Sequence, residues 1–231
     1  MAVMSMAKAP PGGLSEPLEF VPDASTKRKK GAHRPTYADV FSQPGQPSPG
    51  FSKVHLLVNP FSGKKRGRKI AERVMNLLKE QGIEFSCSYS AYSGHLVTMA
   101  SALVVDSDEL IAVVGGDGSL SEVITGRMLL GKEQGETFAI IPAGTGNSQA
   151  HDLRLESVEA AVEAALNGQR QSMDLARVEL TEGLPGALGE PMVRYSHNLV
   201  TWGLGVDSTI QAEKMRWMGP MRYDVGILMA I

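Results

Sequence analysis

The chain has 231 residues, a formal net charge of −2, 42% hydrophobic and 21% charged residues, and a single cysteine, Cys87. That length suits one or two domains. The charge excludes a global basic field for nucleic acid, and one cysteine excludes an internal disulfide framework. No apolar run approaches the ~20 residues needed to span a bilayer, and the N-terminus lacks a signal-peptide core. The expectation is a cytoplasmic protein that can associate peripherally with membranes.

Residues 1–51 are rich in Pro, Gly, Ser and Lys and show no sustained periodicity. Such a stretch buries too little apolar surface to offset the entropy of ordering, so a disordered tail is predicted. Its Lys27-Arg28-Lys29-Lys30 run fits a solvated charge cluster, a nuclear signal or an anionic-lipid contact.

From residue 52 the pattern alternates. Val54–Val58 predicts a strand, and Ile70, Val74, Leu77 and Leu78 share one face of a helix. A strand over Glu84–Ser90, a helix over Leu96–Val105 and a strand over Leu110–Val114 follow. Next come a helix over Ser119–Leu130, a strand over Thr137–Ile141, and a helix over Ser157–Asn167 with Gly168 at its end. Near-continuous apolar strands between helices predict an α/β domain with a covered parallel sheet over residues 52–170. Beyond it, Asp174–Glu182 and Met192–Trp202 read as strands of a second sheet and Asp207–Trp217 as a helix. Residues 171–231 are therefore expected to begin a β-rich domain. The final apolar run, Gly226–Ile231, carries no terminating signal, and the chain is expected to be C-terminally incomplete.

Chemistry concentrates in three glycine-rich segments that each follow a predicted strand: residues 59–67, 115–119 and 142–147. In a parallel sheet the carboxyl ends of the strands share one edge, where ligands bind. Bare backbone leading into a helix N-terminus is an anion site, because unpaired N–H groups and the positive dipole end face the bound group. Asp117, set among Gly115, Gly116 and Gly118, would repel phosphate unless it serves a bridging cation or takes a proton from an acceptor hydroxyl. Phosphoryl transfer is the reaction class this suggests. The first segment lacks the P-loop order, and Gln149 stands where a dinucleotide fingerprint requires Gly or Ala. Ser119-Leu120-Ser121-Glu122 has the form of a capping box, which would give Glu122 a structural role. Lys64, Lys65, Arg66, Arg68 and Lys69 fit a phosphate contact, an anionic membrane or a solvated face equally. His95, His151 and His197 have no metal-ligand spacing.

Val-Asn-Pro-Phe-Ser-Gly-Lys at 58–64, Gly-Gly-Asp-Gly at 115–118 and Pro-Ala-Gly-Thr-Gly-Asn at 142–147 together resemble the three nucleotide motifs of the diacylglycerol-kinase-like lipid kinases. That family includes sphingosine and ceramide kinases, and the resemblance covers about residues 53–231. It implies an ATP-dependent kinase using Mg2+, with a lipid acceptor met at a membrane surface and its primary hydroxyl phosphorylated. By the same resemblance Asp117 is the base, and Asn59, Pro60, Ser90, Gly115, Gly116, Gly118, Glu122, Gly144, Thr145 and Gly146 meet the nucleotide. Arg216 and Arg222 would reach its phosphates, and Asp207 the lipid head group; no residue is assigned as a dedicated metal ligand. The run Arg-Trp-Met-Gly at 216–219 with Arg-Tyr-Asp at 222–224 resembles ceramide kinase, whereas the third glycine motif resembles sphingosine kinase. Residues 171–231 would then open the lipid-binding domain, and the 231-residue chain alone is expected to transfer little phosphate. The alternatives are a diacylglycerol kinase, an NAD kinase sharing Gly-Gly-Asp-Gly, and a non-catalytic nucleotide-binding module.

Overall fold

The computed structural model describes residues 2–6, 46–47, 50–131, 136–180, 192–200, 204–215, 218 and 221–230. Its strands are β1 (Ala2–Met6), β2 (Gln46–Pro47), β3 (Lys53–Val58), β4 (Glu84–Tyr89), β5 (Glu109–Gly115), β6 (Thr137–Pro142), β7 (Gln169–Met173), β8 (Ala176–Leu180) and β9 (Met192–Ser196). Its helices are α1 (Ser62–Lys65), α2 (Gly67–Glu80), α3 (His95–Ala102), α4 (Asp117–Met128), α5 (Ser148–Asp152), α6 (Val158–Asn167), α7 (Leu204–Lys214) and α8 (Arg222–Ala230).

The predicted α/β domain is present. A seven-stranded sheet runs in the order β2-β7-β1-β6-β5-β3-β4, and β6, β5, β3 and β4 are mutually parallel. The apolar runs form its centre: Val54 and Leu56–Val58, Leu110–Val114 and Phe138–Ile141 are all buried. Strands covered on both faces carry such runs because each side chain, whichever way it points, removes apolar surface from water; a buried Leu or Ile contributes about 1.5–3 kcal/mol. Helix α2 covers the sheet with Ala71, Val74 and Leu78, spaced as one helix face. On α4, Gly126 allows close approach of α3, since a Cβ there would lie 2.3 Å from the Val97 carbonyl oxygen. Ser157 caps α6 by accepting from Ala160 N–H at 3.0 Å. Gly168 follows α6 as expected, although in an extended rather than left-handed conformation (φ −82°). It is needed because a Cβ would lie 2.2 Å from the Ala164 carbonyl oxygen.

The amino end of this sheet is tied by side chains. His55 Nδ1 lies 2.8 Å from Ser86 Oγ and its Nε2 lies 2.8 Å from Glu109 Oε2, linking β3, β4 and β5. Arg127, fully buried at the end of α4, pairs with Glu136 through Nε and Nη2. Its Nη1 donates to the Ala100 and Leu103 carbonyls, closing the C-terminus of α3.

Several elements depart from expectation. Two short pieces of the stretch expected to lack structure, β1 and β2, are strands. β1 pairs antiparallel with β6 and parallel with β7, and β2 borders β7. The polar segment that forms β7, Gln-Arg-Gln-Ser-Met, carries no apolar run to predict it. The second sheet consists of β8 and β9, antiparallel, with Arg177 opposite Tyr195. It sits on α4, where Tyr195 N–H donates to Thr125 Oγ1 at 3.0 Å and Ser121 Oγ donates to the Tyr195 carbonyl at 2.8 Å. After β9, α7 lies where a helix was expected over Asp207–Trp217, and α8 is a further helix that was not expected. No helix among the described residues is long and apolar enough to cross a membrane.

Candidate active site

The three glycine segments meet at the carboxyl edge of the sheet, around a cleft of about 570 Å³. The first leaves β3. Asn59 Oδ1 accepts from Phe61 N–H at 3.0 Å, and its Nδ2 donates to Ser119 Oγ at 3.0 Å, tying the β3 loop to α4. Gly63, Lys64 and Lys65 then adopt left-handed conformations (φ 55°, 63° and 68°). That geometry is unstrained only for glycine, and a Cβ at Gly63 would lie 2.1 Å from the Ala143 carbonyl oxygen. Arg66 Nε donates to the Gly63 carbonyl at 2.9 Å and steadies the turn.

The second and third segments touch backbone to backbone. A Cβ on Gly116 would sit 3.2 Å from Gly144 Cα, and one on Gly144 would sit 2.7 Å from Gly116 Cα. Ala143 N–H donates to the Gly115 carbonyl at 2.8 Å, continuing the β5–β6 pairing into the loops. At Gly115 the Ser119 side chain occupies the place of a Cβ. Gly118 and Gly146 have room for a side chain, so their bareness preserves open backbone on the cleft wall.

Asp117 is the first residue of α4, and its carboxylate also holds the third loop. Oδ2 accepts from Ser148 N–H and Oδ1 from Gln149 N–H, both at 2.9 Å, so Asp117 caps α5 from across the cleft. Two amide donors fix the carboxylate in orientation while each oxygen keeps a lone pair for a further partner. The Asp117 backbone is held as well. His197, buried just after β9, places Nε2 3.2 Å from the Asp117 carbonyl oxygen and Nδ1 3.1 Å from Gln149 Oε1. Burial pushes the His197 imidazole below its ordinary pKa, which favours the neutral ring. Both facing atoms are oxygen acceptors, so a neutral ring donates from one nitrogen at a time, to the Asp117 carbonyl or to Gln149 Oε1. Gln149 Nε2 is buried with no partner among the described residues.

The other expected residues divide in two groups. Asn59, Ser90, Gly116, Gly118, Glu122, Gly144, Thr145, Gly146 and Arg222 line the cleft beside Asp117. Ser90 is buried, its N–H donating to the Val58 carbonyl at 2.8 Å. Glu122 does not close a capping box, because α4 begins at Asp117, two residues before Ser119; its Oε1 accepts from Gly94 N–H at 3.1 Å instead. Arg222 opens α8, buried, with Nη2 3.3 Å from Glu213 Oε1. Pro60 and Gly115 support the loops without lining the cleft, and Asp207 lies exposed in the first turn of α7, also outside the lining. Arg216 lies outside the described residues. Of the basic cluster, Lys64, Lys65, Arg66, Arg68 and Lys69 are exposed and none lines the cleft; Arg68 stacks over the Tyr89 ring at 4.5 Å. Phe61, Tyr92, Asn147, Gln149 and His197 also stand at the site and were not among the residues expected to act there. Only Gln149 carried a signal, as a polar residue at a position where a dinucleotide fold needs a small one.

A family model for the diacylglycerol kinase catalytic domain matches residues 53–178, just over half of the chain. The chain belongs to the diacylglycerol kinase catalytic domain family. Sphingosine kinase 1 of Arabidopsis thaliana is 32% identical over 185 residues, covering 75% of this chain and 36% of that protein. Ceramide kinase of Homo sapiens is 29% identical over 191 residues, covering 74% and 34%. A diacylglycerol kinase of Mycobacterium tuberculosis is 29% identical over 181 residues, covering 76% and 54%. The chain thus spans between a third and just over half of the length of these curated relatives. All three glycine loops fall inside the stretch matched by the family model.

Proposed function

We infer that this chain carries the nucleotide site of an ATP-dependent lipid kinase, acting on the primary hydroxyl of a sphingolipid, either ceramide or a sphingoid base. The observation that carries this reading is the Asp117 carboxylate, fixed by two backbone amides on the wall of a cleft built from three glycine loops. Support for the acceptor class comes from the sphingosine and ceramide kinases among the relatives and from the segment 216–224.

Nucleoside triphosphate fits the residues present. Gly116, Gly118, Gly144 and Gly146 offer backbone a side chain would cover, and Asn147 Oδ1 is buried with no partner among the described residues. Mg2+ would arrive with the phosphates, a cation commonly held by one or two carboxylates plus substrate oxygens. Glu122, on the cleft wall beside the loops, would hold it, and it would neutralise charge on the transferring group. Asp117 orients the lipid hydroxyl and takes its proton late, as the bond from that oxygen to the γ-phosphorus forms and the bond to the leaving ADP oxygen breaks.

The test is transfer of labelled phosphate from ATP to ceramide, sphingosine and diacylglycerol in mixed micelles. Transfer to a sphingolipid is expected to exceed transfer to diacylglycerol, and the reverse order would displace the sphingolipid reading. Asp117→Asn is expected to lower transfer by about 10²-fold or more, the usual worth of a positioned base, with ATP binding retained. Transfer by the 231-residue chain alone is expected to be slow, because the cleft lining among the described residues is polar and offers no chamber for acyl chains.

A further inference from the structure

A nucleotide has two chemically opposite ends, anionic phosphates and a planar base with apolar faces. The glycine loops after β5 and β6 suit the first. Among the described residues lining the cleft, only Phe61 and Tyr92 suit the second; every other lining side chain is polar, charged or absent. Both rings are unusually open for their type, Phe61 at 58% and Tyr92 at 62% exposure. A scattered exposed aromatic needs no explanation, but two on the rim of one cleft form a site.

Strand register places them together. β3 and β4 are parallel neighbours with Val58 opposite Tyr89, and Phe61 and Tyr92 each stand three residues beyond that pair. The two rings therefore leave the sheet at matching positions on adjacent loops. Each is also held in place. The Phe61 N–H is bound by Asn59 Oδ1 at 3.0 Å. Tyr92 stacks one face on His95, with ring centroids 4.6 Å apart and an interplanar angle of 14°. His95 is fixed in turn, its Nδ1 accepting from Ala91 N–H at 3.0 Å. Tyr92 thus spends one face on His95 and keeps the other open on the cleft.

Spacing agrees with a single ligand. In the order β6-β5-β3-β4, the β3/β4 loops stand two strand spacings, ~10 Å, from the β5/β6 loops. That is the reach of an extended nucleoside triphosphate from its base to its terminal phosphates. Resting on the reading of this cleft as a nucleotide site, we propose that Phe61 and Tyr92 form its base-binding subsite, with Tyr92 braced by His95 as the stacking platform. The base lies over the ends of β3 and β4, and the phosphates over the ends of β5 and β6. A braced ring loses little freedom on binding, so its stacking contributes nearly in full.

The test compares ATP with inorganic tripolyphosphate, which keeps the charge and lacks the base, by calorimetry on the 231-residue chain. Tyr92→Ala and Phe61→Ala alter exposed side chains and are expected to leave the fold intact. Each is expected to weaken ATP about 10-fold, within the range for one base stacked on one aromatic ring, and to leave tripolyphosphate within about 2-fold. Tyr92→Trp should keep ATP affinity, and its indole emission should change with ATP and stay constant with tripolyphosphate. The proposal is overturned if the alanine variants weaken both ligands equally or change neither. Wild-type chain that binds tripolyphosphate as tightly as ATP also removes the base subsite, while leaving the phosphate loops standing. Wild-type chain that binds neither overturns the nucleotide reading itself.

Discussion

At the amino end of the sheet, His55 joins Ser86 to Glu109 and Arg127 grips Glu136, so buried polar groups there are paired within the chain. The carboxyl end is built otherwise. Gly63, Lys64 and Lys65 hold left-handed backbone, two glycines meet with no side chain between them, and Asn147 Oδ1 is buried without a partner among the described residues. Non-glycine residues in such conformations cost of order 1 kcal/mol each and persist where the surroundings enforce them. The contrast separates two tasks. Stability is concentrated at one end of the strands, and at the other strain and unmet hydrogen-bonding capacity are kept open for a ligand.

The contrast can be broken most forcefully at Arg127. Arg127→Met leaves the Glu136 carboxylate and the Ala100 and Leu103 carbonyls without their donor, a loss of about 3–5 kcal/mol in denaturant unfolding. ATP affinity per folded molecule should stay unchanged; a matching fall in affinity would show that the two ends are not separable. Gly144→Ala attacks the other end. Its Cβ would lie 2.7 Å from Gly116 Cα and 2.6 Å from Asn147 Oδ1. A stability cost of about 1–3 kcal/mol is expected with at least about a 10-fold loss of ATP affinity. An unchanged affinity would mean that the loop contact does not shape the site.

His197→Ala removes the support behind Asp117 and Gln149 and should cost about 1–2 kcal/mol. Faster hydrogen exchange at the Ser148 and Gln149 amides is the accompanying sign, and exchange at wild-type rates would rule out a link from His197 to the Asp117 cap. Acidification should then separate the ends gently. Burial holds the folded-state pKa of His197 below the ordinary ~6.5, so its contribution is present above that value and fades as pH falls through the depressed one. Glu109 is held below its ordinary ~4.3 by the His55 hydrogen bond and then by the Asp106 N–H, so its contribution survives to lower pH. Amide exchange measured from pH 7 to pH 3.5 should show the carboxyl end loosening first, and Glu109→Gln should flatten only the lowest part of the profile.

Much of this fold was legible in the sequence because three of its strands are nearly all apolar. Val54–Val58, Leu110–Val114 and Thr137–Ile141 can only be buried on both faces, and the glycine-rich segments that follow them mark a ligand edge. β7 was not legible, since Gln-Arg-Gln-Ser-Met is held by pairing with β1 and β2 rather than by its own burial. The strand expected over Met192–Trp202 stops at Ser196, where the chain bends and sends His197 into the core beside Asp117. No local pattern distinguishes that histidine from an exposed one. Asp207, which the resemblance places at the lipid head group, lies exposed in the first turn of α7, where an acid also complements the helix dipole. Phe61 and Tyr92 escaped notice because their partnership depends on the register between β3 and β4, which exists only once the strands are paired.

The contact between Gly116 and Gly144 carries a consequence for how this site can change over time. A crowded pair elsewhere in a protein can drift, one residue growing as its neighbour shrinks. Here both are already the smallest residue available, and each faces main-chain atoms of the other. No exchange between them is possible, so neither position has a compensating path. A lineage carrying this crossing of loops must inherit both glycines together or give up the shape of the cleft.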